Sequence, residues 1–156
     1  MPCPTAELRT SIGTAGPPLL PEEWIRMMLE ITPYFIGVFA VMQVPITGLV
    51  GYRRFQTRIP FFDGGDQTLM HRMRAHGNFT ETVPMSLLAM AAAELTGVPH
   101  WLIWSGGVVL LAGRLMHFTT LMRSEWGIGR AIGIIFTLIS MGGFGLLALA
   151  GMLSLR

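Results

Sequence analysis

Four long apolar stretches, separated by short polar ones, set the plan of the chain. The first, residues 31–52, reads ITPYFIGVFAVMQVPITGLVGY, about the length that crosses a hydrocarbon core. Gln43 is the strongly polar side chain at its middle and is expected to make an interhelical hydrogen bond. Pro33 and Pro45 are expected to kink it, which transmembrane helices tolerate. A second span is predicted to begin at residues 67–72 and to continue to about Gly97, bent at Pro84, with Glu94 reaching interfacial water at its far end. Val98-Pro99-His100 reads as a tight turn. The third span, Trp101 to about Met122, carries Trp101 and Trp104 as interface anchors. The fourth, about Ile128 to Leu153, holds Gly129, Gly133, Gly142, Gly143 and Gly145, the small residues of close helix packing.

The polar segments complete the plan. Residues 1 to about 20 are rich in Pro and Gly and lack a basic region followed by an apolar one, so they read as an irregular tail and not as a signal peptide. Pro21-Glu22-Glu23 suits a helix start, and Trp24 suits an interface. The predicted division is a tail with a short interfacial helix over 1–27 and a four-span membrane domain over 28–156. The loop of residues 53–68 contains Phe61-Phe62, expected on the membrane surface, and the turn signal Asp63-Gly64-Gly65-Asp66. Arg123 to Gly127 connect spans three and four.

Composition agrees with the pattern. The chain has 156 residues, 51% hydrophobic and 13% charged, against roughly 25% charged in soluble domains. The fold class is therefore an all-α integral membrane protein, a four-helix transmembrane bundle. A net charge of +2 carries no nucleic-acid footprint. Every basic residue is Arg, which offers a planar fork for carboxylates, although a GC-rich genome explains the same bias. Cys3 is alone, and His71, His76, His100 and His117 have no metal-ligand spacing, so neither an intrachain disulfide nor a metal site is expected. Arg53, Arg54, Arg58, Arg72, Arg74, Arg123 and Arg130 lie towards one side of the spans, against Arg9, Arg26 and Arg156 on the other. The positive-inside rule puts the first set in the cytoplasm and both termini outside.

The chemistry concentrates in residues 72–84. On a helix, Arg74, Asn78, Glu81 and Met85 share one face, with Glu81 about two turns into a membrane span. A carboxylate there costs about 2.5–3.5 kcal/mol on insertion scales and is a functional-site candidate by default. Antiparallel packing sets Arg114 and His117 at the depth of Glu81. An Arg114–Glu81 contact is therefore expected, within or between subunits. A structural ion pair that fixes register is the plainer reading of the same residues. The surplus of arginines around them suits an anionic ligand carrying carboxylates.

Arg74-Ala75-His76-Gly77-Asn78-Phe79-Thr80-Glu81-Thr82-Val83-Pro84 resembles the RxxxNxxExxP signature of the membrane-associated proteins in eicosanoid and glutathione metabolism, the MAPEG family. Arg53-Arg54 lie at the matching distance before it, and Gly113-Arg114-Leu115-Met116-His117 resembles the family's segment on span three. The resemblance covers about residues 30–153 and is nearest to small bacterial members. It implies a homotrimer of four-helix subunits in the bacterial inner membrane, with glutathione as co-substrate bound between neighbouring subunits near the cytoplasmic side. The thiol then meets a lipophilic small molecule at the bilayer edge.

By position, Arg74, Asn78, Glu81 and Arg114 match glutathione-contacting residues, and Arg53 and Arg54 a neighbouring basic pair. Arg72 and His117 join this binding set. His117, Thr82 and Leu121 stand where eukaryotic members carry tyrosines. An Arg near the sulfur activates the thiol in the family, and the candidates here are Arg130, then Arg123. The resemblance implies a glutathione-dependent transferase or peroxidase. The missing tyrosines and the N-terminal tail keep open a non-catalytic member that binds lipid or serves a larger membrane complex. No inverted repeat supports a transporter.

Overall fold

A computed structural model describes residues 29–123 and 127–154. The expected helix start at Pro21, the anchor Trp24, Cys3, Arg9, Arg26 and Arg156 lie outside the described residues. Four helices follow one another: α1 Thr32–Thr57, α2 Gln67–Leu95, α3 His100–Arg123 and α4 Ile128–Ser154. The described residues contain no strand. At about 1.5 Å per residue, each helix is long enough for a core of about 30 Å.

By length and composition α1, α3 and α4 suffice to cross a membrane. α2, which carries Arg72, Arg74, Asn78, Glu81 and Glu94, is not in that group, although it packs against all three of the others. The outward surface is strongly apolar, with Val41, Val44, Leu146 and Leu149 among the exposed side chains. In water such a surface would drive association; facing acyl chains it is the expected exterior. Phe35, Phe39, Phe79, Met90, Ile103, Leu110 and Phe144 fill the interior.

Two glycines seat aromatic rings. A Cβ on Gly107 would lie 2.3 Å from the Phe35 ring, and one on Gly106 would lie 2.4 Å from Phe144. At Gly113 and Gly133, α3 and α4 meet backbone to backbone. A Cβ on Gly133 would sit 2.7 Å from the Gly113 carbonyl and 2.8 Å from the His117 amide nitrogen. The close-packing role expected of the α4 glycines thus holds at Gly133 and at Gly129, where Thr120 fills the space. Gly142, Gly143 and Gly145 meet nothing within 4 Å in the chain.

The helix ends depart most from expectation. Pro33 falls in the first turn of α1, where a missing N–H costs nothing, so it starts the helix and does not kink it. Pro45 and Pro84 lie within continuous helices. Gln43 bonds Thr47 on its own helix (Nε2 to Oγ1, 2.9 Å) and not a neighbouring one. Glu94 is not at the interfacial water surface but buried. Its carboxylate accepts from the backbone N–H groups of Glu30 (2.7 Å), Ile31 (2.6 Å) and Thr32 (2.8 Å) and from the Thr32 hydroxyl (2.5 Å). The first residue before α1, Ile31, has no capping side chain of its own. A carboxylate from the end of α2 supplies the acceptors instead and meets the positive end of the α1 dipole.

At the other end, Asp66 joins α1 to α2. Its Oδ1 caps α2 by accepting from the Leu69 N–H (2.6 Å), while Arg53 reaches both carboxylate oxygens, Nε to Oδ1 at 3.1 Å and Nη2 to Oδ2 at 2.7 Å. Gly64 and Gly65 have φ of 56° and 81°, and they make the turn that returns Asp66 beneath Arg53. The hydrogen bond from Arg53, then that from the Leu69 N–H, holds the Asp66 carboxyl below the usual carboxylate range. Phe61 and Phe62 in this loop are exposed.

Candidate functional site

One face of α2 presents Met70, Met73, Arg74, Gly77, Asn78 and Glu81, the i, i+3, i+4, i+7, i+8, i+11 series of a single helical stripe. With His117 and Leu121 of α3, Arg130 of α4, and Phe62 and Asp63 of the loop, this stripe lines a cavity of about 480 Å³. Small-molecule sites commonly occupy roughly 300–1,000 Å³. The cavity is graded. Arg74, Glu81 and Phe62 are exposed at its rim, and His117 and Leu121 are buried at its floor.

Behind this wall lies Arg114, only 2% exposed. Its Nη1 donates to Asn78 Oδ1 at 2.6 Å, to Thr82 Oγ1 at 3.0 Å and, at 3.5 Å, to the Asn78 carbonyl. All three acceptors are neutral. Thr82 in turn donates its hydroxyl proton to the Asn78 carbonyl at 2.7 Å, which fixes its lone pairs for the guanidinium. Nε of Arg114 has no hydrogen-bond partner among the described residues. A buried cation held by neutral acceptors alone leaves a positive field behind the cavity. Because the Asn78 Oδ1 is committed to Arg114, the amide NH₂ is the group left to donate elsewhere. His117 is buried as well, and its Nε2 has no partner among the described residues.

The residues singled out in the sequence therefore divide. Arg74, Asn78, Glu81, His117 and Arg130 come together around one cavity. Arg114 supports it through Asn78. Within the chain the guanidinium goes to Asn78 and Thr82, and Glu81 is left at the rim.

Three other arginines are committed locally, which reduces the expected surplus of cations. Arg53 pairs with Asp66, while Arg54 holds the loop through the carbonyls of Ile59 (3.2 Å) and Phe62 (3.0 Å). Arg72 donates to the Leu49 carbonyl at 2.9 Å. Arg123 ends α3, exposed and off the cavity lining. Sequence reasoning passed over Met70, Met73 and Asp63 as lining residues and Thr82 as an acceptor for Arg114. The first two continue the stripe of Arg74 and were legible by period. Asp63 depends on the path of the glycine turn.

Taken together, apolar helices and a polar cavity at one end of the bundle define an integral membrane protein with a built internal site. The chain belongs to the MAPEG family, whose model matches residues 32–150. It is 42% identical over 65 residues to the inner membrane protein YecN of Escherichia coli (strain K12), an alignment covering 42% of this chain and 50% of that relative. The same figures hold for YecN of Escherichia coli O6:H1 (strain CFT073). The chain spans about half the length of the curated relatives it matches.

Proposed function

We propose that the chain is a glutathione-dependent membrane transferase or peroxidase of the bacterial inner membrane, acting on a lipophilic electrophile as a homotrimer. The observation that carries this reading is the single cavity lined by Arg74, Asn78, Glu81, His117 and Arg130. Glutathione has two carboxylates, one ammonium and one thiol. Arg74 offers a fork for a carboxylate, Glu81 a partner for the ammonium, and the Asn78 NH₂ a donor for a peptide carbonyl or the second carboxylate. Glu81 and Arg74 at an exposed rim also suit a site completed by a neighbouring subunit.

A thiol ionises near pH 8.5, and guanidinium groups favour the thiolate. Arg130, on the lining, is better placed for that role than Arg123. The thiolate attacks the electrophilic carbon, a C–S bond forms, and the electron pair leaves with the displaced group or passes into a conjugated carbonyl that is then protonated. With a hydroperoxide, sulfur takes the distal oxygen. The lipid leaves as an alcohol, and a second glutathione converts the sulfenic acid to a disulfide and water. The test is conjugation of glutathione to a generic aromatic electrophile by the purified full chain, with Arg74→Ala and Arg130→Ala as comparisons. Turnover by the wild type that falls in both variants supports the reading. No turnover and no binding at millimolar glutathione would leave a non-catalytic lipid-binding or accessory role.

A further inference from the structure

We infer that the cavity at the C-terminal end of α1 seats the headgroup of an anionic phospholipid, with Arg58 as the main contact to its phosphate. The cavity shares no lining residue with the one beneath Arg74 and Glu81.

Three observations carry the inference. First, Tyr52, Arg54, Phe55, Arg58, Ile59 and Pro60 line a space of about 620 Å³, and Gln56 completes the lining. It therefore holds two guanidinium groups and no carboxylate. Arg54 is fixed in the wall by donating Nη1 to the carbonyls of Ile59 and Phe62, neutral acceptors that leave its charge uncancelled. Arg58 is exposed, and its side chain has no hydrogen-bond or ion-pair partner among the described residues. Arg53, by contrast, is matched by Asp66. Arg58 also ends α1 with φ of 56°, a conformation that Gly adopts freely and other residues resist. A guanidinium stands where the backbone alone favours glycine.

Second, the cavity closes an apolar track. Val41, Val44, Pro45, Gly48, Tyr52 and Phe55 follow the i, i+3, i+4, i+7, i+11, i+14 series of one face of α1. All six are exposed, Phe55 to 84%. A Cβ on Gly48 would meet nothing within 4 Å, so the chain itself leaves the middle of the track open. From Val41 to Phe55 the track runs about 21 Å, against about 15 Å for half the hydrocarbon core. An acyl chain of one leaflet can lie along it and bring its phosphate to Arg58. A soluble phosphate would use the arginines and leave the track idle, whereas an amphiphile uses both.

Third, the charges select the headgroup. A phosphodiester accepts paired hydrogen bonds from a guanidinium fork. A zwitterionic headgroup would bring an ammonium beside Arg54 and Arg58, with no acid on the lining to receive it.

The test is native mass spectrometry of the full chain in detergent, titrated with phosphatidylglycerol, phosphatidylcholine or glycerol 3-phosphate. Phosphatidylglycerol should bind the wild type about fivefold more tightly than phosphatidylcholine, the contribution of roughly one arginine beside an anionic headgroup. Arg58→Gly, which suits the backbone at that position, should lose most of this preference, and Arg58→Lys should keep the larger part. Arg123→Gln, at the exposed end of α3 and away from this cavity, should leave it unchanged. Equal binding of the two lipids by the wild type, or equal loss in Arg58→Gly and Arg123→Gln, overturns the inference. Displacement of the lipid by millimolar glycerol 3-phosphate would make this a soluble-phosphate site and overturn the lipid assignment. Should Arg58→Gly fail to fold, the wild type decides alone: a photoactivatable phosphatidylglycerol should label residues 52–60. Label spread evenly over both ends of the bundle contradicts the site.

Discussion

Arg114 donates to the side-chain oxygen of Asn78 at 2.6 Å, joining an enclosed guanidinium to an amide on the cavity wall. The pair links α3 to α2 and decides which way the amide faces. In the proposed function, stability and ligand recognition therefore pass through the same bond. Asn78→Ala should destabilise the protein by about 1.5–3 kcal/mol, since it strips a buried charge of its shortest hydrogen bond. Asn78→Asp should fold at least as well as the wild type, because it sets a carboxylate opposite Arg114. It also removes the donor facing the cavity, so binding of glutathione should weaken. Thermal unfolding with and without ligand separates the two effects.

Glu94 holds the start of α1 from the end of α2 with four hydrogen bonds. Glu94→Ala is expected to cost about 2 kcal/mol, at the upper end of the range for loss of a helix cap. The exposed Glu30–His100 contact at 3.9 Å is a built-in control. Removing it should change stability by well under about 1 kcal/mol. Denaturant or thermal unfolding of Glu94→Ala and Glu30→Ala side by side checks the ranking.

How much of this was legible in the sequence follows the range of each interaction. The four spans came from runs of apolar residues, a local property, and three of the described helices lie within a few residues of their expected bounds, while α1 runs on to Thr57 and takes in residues 53–57, which were expected in the loop. The α2 stripe through Arg74, Asn78 and Glu81 was likewise local, because helical period alone places those residues on one face. The partners of the polar groups were not local. Whether Arg114 meets Glu81 or Asn78 is set by a rotation of α3 against α2, and no count along the chain reveals it. Glu94 read as an interfacial acid because its acceptors serve a helix more than 60 residues earlier. Gly133 and Gly142 look alike in sequence, yet only Gly133 faces another backbone in the chain.

That contrast yields a packing prediction. Gly133→Ala places a methyl group 2.7 Å from the Gly113 carbonyl, where neither backbone can yield cheaply. A loss of about 1–3 kcal/mol is expected, with a change in the surroundings of His117. Gly142→Ala meets open space in the chain and should be neutral or stabilising by up to about 1 kcal/mol. Unfolding temperatures of the two variants in the same detergent test this.

Asp66 gives the molecule a pH dependence. Hydrogen bonds from Arg53 and the Leu69 N–H depress its carboxyl below the ordinary value of 3.8. A depressed acid contributes stability that is full above the unfolded value and is lost as pH falls through the folded one. Asp66→Asn keeps a capping oxygen but removes the charge pair with Arg53. The variant should therefore melt below the wild type at neutral pH, and the two curves should converge below about pH 4. Added salt should narrow the neutral-pH gap, since the pair is partly exposed.

The central claim is that the cavity beneath Arg74 and Glu81 holds a tripeptide thiol, and calorimetric titration of glutathione into the detergent-solubilised full chain tests it most directly. Saturable binding should appear, weakened at least tenfold by Arg74→Ala and by Glu81→Gln, with thermal stabilisation of about 2.7 kcal/mol at one hundred times the dissociation constant. Absence of binding by a folded wild type, or binding that neither substitution alters, would contradict the account.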